Sequence, residues 1–100
     1  MTVCALSLGS NVGNRLDNIR RAVTLMRPLG EITKRSTVYD TPSWGLETQP
    51  RFLNACVLLD TEVPPQILLE KLKEIERSVG RVERQRWGPR EIDIDMLTYG

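Results

Sequence analysis

The chain has 100 residues, 40% hydrophobic and 27% charged, with a formal net charge of +1 at pH 7. That length allows one small domain with a modest core, and the near balance of charge excludes a global field that would draw in nucleic acid or an anionic membrane. No histidine is present, which removes imidazole zinc sites and His-activated nucleophiles and leaves carboxylates, Lys and Arg for chemistry.

No apolar run approaches the roughly 18 residues of a membrane span. Met1 leads straight into a strand-like pattern with no basic region or cleavage site, so the chain is read as cytoplasmic. Residues Thr2 to Leu8 are β-prone and mostly apolar, the pattern of a central strand buried on both faces. Gly9-Ser10-Asn11-Val12-Gly13-Asn14 ends it. Two glycines there could bind phosphate at a helix N-terminus, but the spacing fits neither a Walker loop nor a dinucleotide fingerprint, and a plain turn is the better reading. Asn14 is placed to cap a helix through Met26, with Asp17 in its first turn. Leu16, Ile19, Val23 and Met26 recur at helical spacing, while Arg15, Arg20, Arg21 and Arg27 lie off that stripe and read as its wet face.

Pro28 and Gly30 stop the helix, and Glu31 to Asp40 reads as one half-exposed strand. Thr41 to Pro50 follows, kept from helix or ladder by Pro42, Gly45 and Pro50; it is a binding lid carrying Trp44, or a plain hairpin tip. Phe52 to Leu59 is a third, central strand whose odd residue is Asn54, either a structural amide or a reader of a heterocycle edge. Cys4 and Cys56 lie in apolar runs and read as buried, inert thiols. Pro64 and Pro65 open a second helix that Gly80 closes, with Ile67, Leu68, Leu72, Ile75 and Val79 as its stripe. Glu76, at its end, either orients an arginine, contacts a ligand or is an ordinary surface charge.

The last stretch, Arg86-Trp87-Gly88-Pro89-Arg90-Glu91-Ile92-Asp93-Ile94-Asp95-Met96-Leu97, carries the chemistry. Alternation along a strand puts Asp93 and Asp95 on one face and Ile92, Ile94 and Met96 on the other. Two carboxylates so close repel, and Asp is depleted from strand interiors, so a cation, donors or water must offset the cost. Hard oxygen ligands suit Mg²⁺, which takes one or two carboxylates and fills its shell with water and substrate phosphates. Arg86 and Arg90 offer planar forks for phosphate, and Trp87 a stacking face. A solvated edge strand with aspartates that deter aggregation is the plainer alternative. The element order, strand, helix, strand, strand, helix, strand, fits a ferredoxin-like β-α-β-β-α-β sandwich: an α+β fold with an antiparallel-majority sheet and two helices on one face. In that topology the first and third strands are central and the last pairs beside the first.

Taken together, Gly9-Ser10-Asn11, Tyr39-x-Thr41-Pro42, Gln49-Pro50-x-Phe52-Leu53-Asn54, Gly80-Arg81 and Arg86-Trp87-Gly88-Pro89-Arg90-x-Ile92-Asp93-Ile94-Asp95 closely resemble the 6-hydroxymethyl-7,8-dihydropterin pyrophosphokinases, over Leu6 to Leu97. The resemblance implies transfer of diphosphate from ATP to the hydroxymethyl group of a reduced pterin, releasing AMP, in folate biosynthesis. It implies that Asp93 and Asp95 hold two Mg²⁺ ions and that Arg81 and Arg90 assist transfer. Thr41, Pro42, Trp44, Phe52, Asn54 and Trp87 would meet the pterin; Glu76, Arg81, Arg84, Trp87, Arg90 and Ile94 would meet the nucleotide.

Two features depart from the family pattern. Glu83 stands where the family often has Arg, with Arg84 adjacent. The chain ends at Gly100, whereas family members continue through a basic segment that grips ATP and a final strand. A single pyrophosphokinase-like domain over residues 1–100, with the C-terminal part of the family's domain absent, is therefore expected. Such a chain would hold nucleotide weakly, and its bare sheet edge would invite self-association. The competing class is a ferredoxin-like module that senses a nucleotide or contacts RNA without catalysis, disfavoured by the balanced charge and the lack of interleaved aromatics on the central strands. Another Asp-x-Asp transferase would share the metal site but not the pterin-like loop.

Overall fold

A computed structural model of the chain describes residues 1–42, 50–80 and 90–100. Trp44 of the expected lid, and Arg81, Glu83, Arg84, Arg86 and Trp87, lie outside the described residues. In chain order the elements are β1 (Thr2–Ser10), α1 (Arg15–Met26), a 3₁₀ turn (Arg27–Leu29), β2 (Gly30–Arg35), β3 (Tyr39–Thr41), β4 (Phe52–Thr61), α2 (Pro65–Val79) and β5 (Asp93–Tyr99). The sheet runs β2-β4-β1-β5, with β3 also on β4, and all of these pairs are antiparallel. This is the ferredoxin-like α+β order expected from the sequence, with β1 and β4 central and the final strand beside the first.

Local signals set the helix ends. Asn14 caps α1 by accepting a 3.1 Å hydrogen bond from the Asp17 N–H. Pro65 opens α2 in the first turn, where a missing N–H costs nothing, and Gly80 closes it at φ 118°, a left-handed conformation that glycine takes without a Cβ clash. Both helices bury their stripes on one face of the sheet. Ile19, Ala22, Val23 and Met26 of α1 and Leu68, Leu72, Ile75 and Val79 of α2 share a core with Cys4, Leu6, Leu8, Ala55, Val57, Leu59, Ile92 and Ile94.

Four expectations are corrected. The first strand is central but covered on one face only: Leu6 and Leu8 are fully buried, whereas Val3 is 42% exposed and Ala5 and Ser7 are half-buried. The single strand expected over 31–40 is two, because Ser36 replaces ladder pairing with a side-chain bond. Its N–H donates to the Cys56 carbonyl and its Oγ accepts from the Cys56 N–H, each at 2.8 Å. Cys56 is not buried like Cys4; it is half-exposed, with its Sγ 3.8 Å from the Tyr39 hydroxyl. Finally, two of the helix arginines are more than a wet face. Arg15 donates to the Arg51 carbonyl at 2.9 Å, and Arg21 reaches the Ser78 and Val79 carbonyls at 3.3 and 3.4 Å, holding the end of α2.

Burial pushes the Cys4 thiol above its usual pKa, with Asp60 adding to the shift. The thiols should therefore separate kinetically: near pH 8 an aromatic disulfide reagent should label Cys56 in the native chain and reach Cys4 only after denaturation. Equal native rates at both would contradict this packing.

Candidate active site

The register of the central strands builds the open face. Gly9 of β1 pairs with Asn54 of β4 on one side and Asp93 of β5 on the other; Ser7 pairs with Cys56 and Asp95 in the same way. Cross-strand partners share a face, and this is the face opposite Leu6, Leu8 and Ile94, hence away from the helices. On the far side of β4, β3 brings Thr41 opposite Phe52. The outcome is a cleft of about 180 Å³ lined by Ser7, Gly9, Thr41, Pro42, Phe52, Asn54, Asp93 and Asp95.

Gly9 keeps that cleft open. A Cβ there would stand 3.1 Å from Asn54 Oδ1 and 3.3 Å from Phe52 Cδ1, tighter than either neighbour accepts without moving. Of the two roles its sequence context offered, the structure shows the structural amide for Asn54. Its Nδ2 donates to Thr41 Oγ1 at 2.7 Å, tying β4 to the start of the 42–50 connection. Its Oδ1 lies toward Gly9 and the cleft.

The turn after β1 is a latch. Asn11 is 1% exposed; its N–H donates to the Arg90 carbonyl at 3.0 Å and its Oδ1 accepts from the Arg90 N–H at 2.7 Å. Its Nδ2 donates to the Pro50 carbonyl at 3.1 Å. One amide thus ties the main chain at Pro50 and at Arg90 to the end of β1. Ser10 Oγ and the Val12 carbonyl in turn accept from Asn18 Nδ2 of α1, at 3.2 and 2.9 Å.

Glu76 is no surface charge. It is 8% exposed, and its Oε2 accepts a 2.8 Å bond from the Ile94 N–H, between the two aspartates. Because β5 is an outer strand of the sheet, this carboxylate occupies a main-chain donor on its outer edge and docks β5 on α2. Of the residues expected to meet nucleotide, Ile94 has its side chain in the core and Glu76 lies beneath β5; neither lines the cleft, and Arg90 is half-buried at its edge of the described chain. Residues not singled out from the sequence are Ser7 and Gly9 as cleft lining, Asn11 as latch and Arg21 as anchor of α2. Ser7 and Gly9 were signalled by their places between the apolar Leu6 and Leu8 and just after them, in phase with the open face.

Among the described residues, no three or more His, Cys, Asp or Glu side chains cluster to enclose a metal. Two carboxylates on one strand face, with the Ser7 hydroxyl across the ladder, are nonetheless the donor set that fits Mg²⁺, which prefers a few protein oxygens and leaves the rest to water and phosphate. The surface ion pair Arg51–Asp40, at 2.7 Å with both side chains about half exposed, braces the neighbouring strand end and contributes little energy.

These features define a class: a small antiparallel α+β domain with a paired-carboxylate ligand cleft on the open face of its sheet. Residues 5–100 match the family model of 7,8-dihydro-6-hydroxymethylpterin-pyrophosphokinase (HPPK), and the chain belongs to that family. It is 50% identical, over 99% of its length, to a 2-amino-4-hydroxy-6-hydroxymethyldihydropteridine pyrophosphokinase of Aquifex aeolicus, covering 62% of that protein. A protein of the same description from Methylorubrum extorquens is 46% identical, with 99% of this chain and 64% of that protein covered. To a mitochondrial folate synthesis bifunctional protein of Pisum sativum the identity is 48%, with 95% of this chain matched against 19% of that one. The chain thus spans about three-fifths of the length of the single-function relatives it matches. Its fold superimposes with a TM-score of 0.70, at 18% identity, on an HPPK-DHPS crystal structure in complex with substrates, covering 98% of this chain and 27% of that one.

Replacing Glu76 with Ala should strand the buried Ile94 N–H and cost about 1–3 kcal/mol in urea unfolding, with faster hydrogen exchange at Ile94. Glu76→Gln, whose carbonyl can still accept, should keep most of that protection. Unchanged exchange in the alanine variant would remove Glu76 as the support of β5.

Proposed function

We propose that the chain carries the ATP- and pterin-binding cleft of a pyrophosphokinase and transfers diphosphate from ATP to 6-hydroxymethyl-7,8-dihydropterin. The observation that carries this reading is the cleft itself: Thr41, Pro42, Phe52 and Asn54 face Asp93 and Asp95 across Gly9. The acceptor hydroxyl oxygen bonds to the β-phosphorus, the bond from that phosphorus to the oxygen bridging the α- and β-phosphates breaks, and AMP leaves. The hydroxyl proton passes to Asp93 or to water.

Such a transfer asks the protein for in-line positioning and neutralised charge, with little covalent help. Asn54 reads the edge of the pterin with the amide atoms that Thr41 leaves available, and Phe52 offers a ring face. Asp93 and Asp95 would hold the two Mg²⁺ ions the resemblance implies; bound there, the ions would offset the negative charge of the triphosphate. Arg90, latched through its main chain by Asn11, assists transfer with Arg81, while Arg84 meets the nucleotide and Trp87 the nucleotide and the pterin. Trp44 belongs to the pterin side. Glu76 and Ile94 serve the nucleotide through the placement of the β5 main chain. The ligands are small molecules, not nucleic acid or membrane, and the setting is the cytoplasm; among the described residues no helix is long and apolar enough to cross a membrane. Self-association, if it uses the β5 edge, must work around the Ile94 donor that Glu76 already engages.

The test is AMP formation from ATP and Mg²⁺ by the chain as given, with and without the pterin. Pterin-dependent AMP is expected, and Asp95→Ala should reduce it to background while the circular dichroism spectrum stays native. Binding of nucleotide without AMP would favour the noncatalytic module, and full activity in the variant would remove the carboxylate pair from the mechanism.

A further inference from the structure

On the helix side of the sheet, separated from the cleft by the thickness of β4, lies a second and larger cavity of about 430 Å³ between α1 and the β2–β3 connection. Its floor is apolar: Leu16, Ile19 and Val23 of α1 against Ala55 and Val57 of β4, with Val38, 43% exposed, at the rim. Its mouth carries three arginines, Arg20 and Arg27 from α1 and its end, and Arg35 from β2. That volume falls within the range of small-molecule pockets, which pair an apolar lining with a few convergent polar groups.

The backbone is arranged to bring Arg35 there. The β2–β4 register shifts between Ile32 and Lys34, so that Ile32 lies opposite Leu59 and Arg35 opposite Val57, both of which face the helices. Without that extra residue, alternation from Ile32 would send Arg35 to the open face; bulges re-aim side chains in this way. Beyond Arg35, Ser36 satisfies the Cys56 main chain itself, and β2 and β3 part over residues 36–38, which leaves the cavity open at that side. None of the three guanidinium groups is in an ion pair among the described residues. Three cations round an apolar floor repel one another, and an oxyanion with a hydrophobic body would relieve that repulsion and cover the floor at once.

We propose that this groove is a binding site for a small amphipathic carboxylate, its head held by Arg27 and Arg35 with Arg20 beside them, its body lying along Leu16 and Val38 above the buried Ile19, Val23, Ala55 and Val57. The site is distinct from the cleft of Asp93 and Asp95, although alternate residues of β4 serve both. The carboxylate is chosen over a bare anion because the floor is apolar, and over a neutral lipid because the rim is cationic.

Octanoate is the probe, titrated into ¹⁵N-labelled chain at low salt, with 1-octanol and inorganic phosphate as separate arms. Saturable shifts are expected at residues 16–27, 35–38 and 55–57 with octanoate, with octanol and phosphate each at least about tenfold weaker. The double variant Arg27→Gln, Arg35→Gln changes exposed side chains only, should keep the native spectrum, and should weaken octanoate by about tenfold. Equal binding of octanol would mean an apolar groove without anion recognition, and equal binding of phosphate an adventitious ion site. Shifts centred on Asn54 and Asp93, or octanoate binding unchanged in the double variant, would likewise overturn the assignment.

Discussion

The open face of this sheet depends on one close approach. Gly9 stands between Asn54 and Asp93 in a single cross-strand row, and the space a side chain would take is what lets the amide of one outer neighbour and the carboxylate of the other look into the same cleft. Any Cβ there meets Asn54 Oδ1 and the Phe52 ring before a ligand can. The rest of the arrangement keeps that row in register: the long antiparallel pairing of β1 with β4, the docking of β5 by Glu76, and the Asn11 latch at the end of β1.

The two faces of the sheet divide the labour. Leu6, Leu8, Ala55, Val57, Leu59 and Ile94 supply the apolar burial that offsets chain entropy, and both helices sit on them. The opposite face is free of the helices, so the polar side chains Ser7, Asn54, Asp93 and Asp95 can line the cleft there. Repulsion between Asp93 and Asp95 is screened by solvent, because Asp95 is exposed and Asp93 only half-buried.

Much of this was legible in the sequence because the period of the apolar residues is local information. The stripes of both helices, the Asn14 cap, the Pro65 start, the Gly80 stop and the shared face of Asp93 and Asp95 all follow from spacing. What escaped depends on partners far along the chain. Asn11 meets Arg90 79 positions away, and nothing near Asn11 announces that bond. The break between β2 and β3 comes from Ser36 hydrogen-bonding Cys56, which β-propensity does not register. Glu76 did carry a local signal: it lies four residues after Leu72 and three before Val79, on the buried stripe of α2, and a charge in that position must have a partner. Strand β1 read as buried on both faces because its open-face residues, Val3 and Ala5, are apolar although one of them is exposed.

The most direct measurement of the central claim is paramagnetic broadening by Mn²⁺ in the presence of a nonhydrolysable ATP analogue. Amide signals of residues 93–95, 7–9 and 54 should be broadened first and most strongly, ahead of those of α1, and Asp93→Asn with Asp95→Asn should abolish the pattern. Strongest broadening elsewhere, or the same pattern in the double variant, would contradict the placement of metal and substrates over Gly9.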